Sequence, residues 1–250
     1  VAASELLNTL SRLEGRLAEL REKLRQLMDR HGILPGPAEG AIGLPPTQPE
    51  AQSEAAGGCV ERGWKLVGAG DCAGARKLLS RALDLAPDDP GVLSSLGWVQ
   101  TVLQEYDGAL ATYRRLLVVR PEDTAARVNL GFICLRKGIY GEAIEHLSKA
   151  TRGSPDPRVR LYGRFYLGLV YMAREMYEDA ASLLHEAAEL DPTMSEAFFQ
   201  LGRARYLAGR RAEAISAWKD GAAAPHGDFW ASRCAEAARS TESGAQPLLD

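Results

Sequence analysis

Two kinds of apolar spacing run along this chain, in separate stretches. Between residues 6 and 27 leucine recurs as Leu6, Leu10, Leu13, Leu17, Leu20, Leu24 and Leu27, in alternating steps of four and three. That is a heptad seam, and it predicts an amphipathic helix over 1–31 that buries its leucines against another helix. From residue 56 onward the apolar positions come instead as paired short stripes. Val128, Phe132, Ile133 and Leu135 recur at helical spacing until Gly138 interrupts them. Ala143, Ile144, Leu147 and Ala150 then form a second stripe, closed by Gly153 and Pro155. Each such pair predicts a helix, a turn and a second helix. Residues 32–55 are rich in Pro, Gly and Ala and show no apolar period, which predicts a flexible linker.

The paired stripes repeat. Twelve residues separate Gly63 from Ala75 and Ala75 from Pro87, and the same steps join Gly97, Ala109 and Pro121. They recur in Gly131, Ala143 and Pro155, and in Gly168, Ala180 and Pro192; a fifth unit keeps Gly202 and Ala214. The period is about 34 residues, with three extra residues near 156–163 in the fourth unit. Internal repetition of this length means stacked supersecondary units that share one continuous core. A glycine inside a helix costs about 1 kcal/mol relative to alanine, so five in register need a reason. Gly and Ala are expected to be the points where the two helices of a unit approach closely. Acidic residues after the prolines, Asp88, Asp89, Glu122, Asp123 and Asp156, fall at helix N-termini, where they complement the helix dipole.

These units resemble tetratricopeptide repeats. The residues that carry the resemblance are LGWVQ, YDGALATY and RP within 96–121, LGFIC, YGEAIEHL and SP within 130–155, and LGLVY, YEDAASLL and DP within 167–192. LGRAR and RAEAISAW within 201–218 form a fourth match, and GWKLV, CAGARKLL and AP within 63–87 a more divergent one. The resemblance implies an all-α, right-handed superhelical solenoid of about five helix-turn-helix repeats (56–89, 90–123, 124–157, 158–194 and 195–226). A capping helix is expected over 227–239 and a frayed tail over 240–250. In that cap Phe229, Trp230 and Cys234 should lie on the last repeat, with Arg233, Glu236 and Arg239 facing water.

The first helix of each pair is then expected to line a concave groove. Helical spacing places Trp64, Trp98, Asn129, Phe132, Leu135, Arg136, Tyr162, Phe165, Tyr166, Leu169, Phe199, Arg203 and Tyr206 there. A concave face with many aromatics and a few polar groups suits a peptide or protein client. Repeats that clamp the acidic C-termini of heat-shock chaperones use lysines, asparagines and an arginine at such positions. Asn129 matches one of these, but Ser94, Trp98 and Val128 stand where polar or basic groups would be wanted, which argues against that specialisation.

Charge refines the leucine helix. Residues 11–30 carry six basic and four acidic side chains, and a parallel homodimer would set Arg16 against Arg21 of the other copy. Self-association in antiparallel register, pairing with a more acidic helix and folding back on the repeats all remain open.

The net charge of −3 gives no drive toward nucleic acid or an anionic membrane. No apolar run approaches the roughly 18 residues a span requires. The first ten residues lack the basic start and apolar centre of a secretory leader. Cys59, Cys72, Cys134 and Cys234 match no zinc spacing and read as reduced thiols, which favours the cytoplasm. The histidines are scattered, and there is no phosphate-cradling glycine loop. The expected protein is therefore not an enzyme and needs no metal or cofactor. It is expected to be an adaptor that holds a client in the groove and oligomerises or recruits a second partner through the leucine helix. A small chaperone for an aggregation-prone or secreted client is the alternative.

Overall fold

The computed structural model describes residues 43–46, 51, 53–225 and 228–249. The leucine seam, Leu6 to Leu27, lies outside the described residues. Eleven helices follow one another among them. They are α1 (Glu54–Gly68), α2 (Cys72–Leu85), α3 (Pro90–Val102), α4 (Tyr106–Val119), α5 (Thr124–Arg136) and α6 (Tyr140–Gly153). Then come α7 (Pro157–Ala173), α8 (Tyr177–Leu190), α9 (Ser195–Leu207), α10 (Arg211–Ala222) and α11 (Phe229–Glu242). Each helix packs on the next. The odd-numbered helices also touch one another from unit to unit, while the even-numbered helices do not. Helices that touch along one side and splay on the other bend the stack, so the odd-numbered helices line its concave face. This is an all-α repeat solenoid, held together by nearest-neighbour contacts.

The register glycines answer to a different partner from the one their spacing suggests. A Cβ on Gly131 would lie 2.5 Å from Leu147 Cγ, and one on Gly168 would lie 2.6 Å from Leu184 Cγ. Gly97 faces Tyr113, Gly202 faces Trp218 and Gly63 faces Leu79 in the same way. The residue filling the glycine's space is thus sixteen positions on, one turn past the alanine. The alanines Ala75, Ala109, Ala143, Ala180 and Ala214 are fully buried. The glycine spares room for a large side chain that spans the helix pair.

Turns inside the five pairs share one geometry. Gly70, Gly138 and Gly209 have φ of 82°, 73° and 81°, and Gln104 and Glu175 take the same left-handed conformation at 59°. In each, the next residue's N–H reaches back to a carbonyl five positions earlier, as Ile139 does to Cys134 O at 2.8 Å. That is a Schellman closure of the first helix. At the other end, Asp89, Asp123 and Asp156 do more than complement a dipole. Their carboxylates cap α3, α5 and α7 by accepting from the N–H groups of Gly91 and Val92, Ala126 and Arg158.

Four expectations are corrected. Residues 43–46, inside the expected flexible linker, are packed against the repeats, and Leu44 is 1% exposed. In the cap, Phe229 is 63% exposed rather than buried, because Trp230 and Cys234 supply the contact. Arg233 lies over the Phe199 ring at 5.5 Å and also donates to Leu248 O at 3.3 Å, so it does not simply face water. The expected frayed tail returns: Pro247 is buried and Leu249 packs against the cluster of Phe199, Trp218 and Cys234. All four thiols are free, with Cys59, Cys134 and Cys234 buried. Burial pushes the Cys134 thiol up to about 11 and that of Cys234 up to about 12.

Candidate functional site

The concave face is built from side chains that the odd-numbered helices project one turn apart. At its upstream end Trp64 on α1 and Trp98 on α3 stack with ring centroids 5.2 Å apart. Trp64 spends its indole N–H on Ser95 Oγ at 3.1 Å, which fixes the pair. The Trp98 N–H is directed elsewhere, to the carbonyl of Gly43 at 3.1 Å. On α5, Asn129 is buried and its Nδ2 donates to Leu44 O and to the Tyr113 hydroxyl, both at 2.9 Å. On α7, Arg158 Nη2 reaches Pro45 O at 3.5 Å. Three successive carbonyls, of Gly43, Leu44 and Pro45, therefore accept from the first helices of three successive repeats.

Phe132 lies beneath this segment. A Cβ on Gly43 would come within 3.6 Å of its ring and within 2.7 Å of Asn129 Oδ1, so only glycine passes there. The Phe132 ring in turn rests on Tyr166 at 4.9 Å, and Tyr162 lies 6.0 Å from Tyr166. Leu135, Tyr162, Leu169, Arg203 and Tyr206 are half-buried along the face. Asn129 Oδ1, Gln200 Oε1 and Arg203 Nε are buried polar atoms with no hydrogen-bond partner. Buried polar atoms normally find partners, and these three have none within the chain.

Several residues assigned to the groove belong elsewhere. Phe165, Tyr166 and Phe199 are buried in the core, where helical spacing alone cannot separate a groove aromatic from one covered by the next repeat. Arg136 is exposed and lies over the Tyr106 ring at 5.8 Å, tying α5 to α4. Arg158, Ser95 and Tyr113 were not singled out by the pattern. Arg158 could have been: α7 has 17 residues where α3, α5 and α9 have 13, and the extra turn at its start carries this arginine. The three-residue insertion in the repeat was its signal.

Downstream the face changes character. Glu196 on α9 is half-buried, and burial, reinforced by the charge of Asp228, pushes its carboxyl up to about 7. The Phe199 ring lies tilted against Trp230 of the cap, with centroids 5.1 Å apart. Among the described residues no group of three His, Cys, Asp or Glu is placed to hold a metal ion, and no helix is long and apolar enough to cross a membrane.

A family model for the tetratricopeptide repeat matches residues 60–118, 103–157 and 166–228, well over half of the chain. The chain belongs to the tetratricopeptide repeat family. Over 100 residues this tetratricopeptide repeat chain is 32% identical to human aspartyl/asparaginyl beta-hydroxylase, in a match covering 40% of the chain and 13% of that protein. It is 29% identical over 100 residues to the photosystem I assembly protein Ycf3 of Dioscorea elephantipes, covering 38% of the chain and 56% of Ycf3. The chain thus spans only part of the curated relatives it matches. Among solved structures it is similar to PilF of Pseudomonas aeruginosa, at 20% identity and a TM-score of 0.64, covering 76% of this chain and 88% of that one. At that identity the likeness concerns the fold alone.

Proposed function

We propose that this tetratricopeptide repeat protein is an adaptor that holds an extended segment of a client protein along its concave face. The supporting observation is the run of carbonyls at Gly43, Leu44 and Pro45, each accepting from a different repeat through Trp98, Asn129 and Arg158. Donors spaced by the repeat, aimed at the backbone of an extended chain, suit peptide recognition, in which main-chain bonds give affinity and side-chain pockets give specificity. The work of the face is binding rather than catalysis. The leucine seam within residues 1–31 supplies self-association or a second partner, which would add avidity to a single groove. Likeness to Ycf3, named for photosystem I assembly, supports a related use, in which the groove holds a component until a larger complex takes it up.

The test is capture of clients from a lysate of the source cells by the full chain and by a Trp98→Phe, Arg158→Ala variant. Phenylalanine preserves an aromatic contact with Trp64 while removing the donor. Clients identified by mass spectrometry should fall at least about tenfold in the variant, since two donors are lost. Equal recovery from a variant with an unchanged helical spectrum would sink the reading.

A further inference from the structure

The segment seen in the groove is the protein's own. We propose that Gly43–Pro46 is a built-in occupant of the concave face, and that the natural client carries a segment of the same kind (glycine, leucine, proline, extended backbone) and binds by displacing it. This rests on the reading of that face as the client site.

The sequence of the occupant fits its place residue by residue. Gly43 is required because any Cβ would meet Asn129 Oδ1 at 2.7 Å. Leu44 inserts its side chain fully, at 1% exposure, and is the anchor. Pro45 follows, and a residue before proline is held in the extended region that presents consecutive carbonyls to a groove. Pro45 and Pro46 stiffen the chain, so less entropy is lost on docking. Nothing in these contacts needs the segment to be covalently attached. The donors read carbonyls, which every peptide has, and the selection comes from the missing Cβ, the leucine and the prolines.

The occupant also leaves something unused. Asn129 offers a donor and an acceptor, and only the donor is spent: Oδ1 finds no partner. The N–H groups of Gly43 and Leu44 are not bonded to it. A client that supplies an N–H at this point would make one bond more than the tethered segment does. Only six residues, 47–52, separate Pro46 from Ser53 ahead of α1. Tethers of that length give effective concentrations in the millimolar range. A weak intrinsic fit therefore suffices for occupancy, and a client must overcome it.

The experiment uses the full chain and a fluorescein-labelled peptide of sequence AIGLPPTQPE, residues 41–50, read by anisotropy. Two variants dislodge the tethered copy without touching any helix: Leu44→Ala removes the anchor and Gly43→Leu adds the excluded side chain. Both variants should bind the peptide at least about tenfold more tightly than the unaltered chain, because the competing occupant no longer lowers the competent fraction. Adding Asn129→Ala to either should reverse the gain, and a peptide with alanine at the leucine should bind none of the chains. Equal affinity for the unaltered and dislodged chains, or no binding to any of them, overturns the proposal. The groove reading fails separately. If client capture depends on Trp98 and Arg158 but ignores Leu44→Ala, the groove stands and the built-in occupant falls; if capture ignores all three, both fall.

Discussion

The upstream and downstream stretches of the concave face stand on the same skeleton and are finished in opposite ways. Upstream, from α3 to α7, the lining ends in donors, Trp98, Asn129 and Arg158, each bonded to a segment of extended backbone. Downstream, at α9 and α11, it ends in Phe199 tilted against Trp230 and in a Glu196 carboxyl that burial pushes up to about 7. The glycine register and the left-handed turns are common to both. A repeat thus fixes where a side chain stands, and leaves what it does free to differ between neighbours. The upstream donors are covered by the segment Gly43–Pro46, while the downstream part is covered by the protein's own cap and tail.

Substitutions can break or sharpen that contrast. The largest effect is expected at Gly202→Ala, where the new Cβ would lie 2.3 Å from Trp218 Nε1 and disturb its bond to Phe199 O. Overpacking plus loss of a buried hydrogen bond should cost about 3 kcal/mol in chemical denaturation. The same change at Gly131 meets Leu147, which can shift, and alanine's helix preference offsets part of the strain. About 1 kcal/mol is expected there. If the two variants lose equally, the downstream end is no tighter than the middle.

Next comes Asn129→Ala, which strands Leu44 O and the Tyr113 hydroxyl and should cost about 2 kcal/mol. Glu196→Gln should act the other way. A carboxyl whose folded value is raised gives the fold stability that is complete below its ordinary value near 4.5 and lost as pH rises through about 7. The glutamine variant should therefore match the parent at pH 4 and exceed it by about 1–2 kcal/mol at pH 8. A pH-independent difference would mean that Glu196 is not held protonated.

Smaller still is the effect of the turns. Gln104 and Glu175 pay for a left-handed backbone that Gly70, Gly138 and Gly209 adopt freely, so Gln104→Gly should raise stability by about 1 kcal/mol. Least of all, Arg114→Ala removes an exposed pair with Glu142 and should leave the denaturation midpoint unchanged. Arg210, paired with both Glu178 and Glu213, should show a slight loss.

The helix pairs could be read from the chain because covalent spacing and packing share one period: the glycine, alanine and proline positions mark each unit. The partner of each glycine was not legible, since a small residue at twelve and a large one at sixteen both point back at the first helix. Only coordinates show that Leu147, rather than Ala143, fills the space over Gly131. The lining was half legible. Trp98, Asn129 and Phe132 stand where helical spacing puts them, whereas Phe165 and Phe199 follow the same spacing and are buried in the core. Least visible was the segment at Gly43–Pro46. Its contacts join residues 55 and 85 positions apart, and no local pattern encodes a partner at that distance.

Cys134 and Cys234 give the protein two internal clocks. A thiol with its pKa raised by burial does not react with alkylating reagents until its surroundings open. Cys134 sits mid-stack on α5 and Cys234 on the final helix, and in a linear array the ends open more often than the middle. Alkylation should therefore reach Cys234 before Cys134, and the ratio of the two rates would measure how far a local opening travels along the array before it closes.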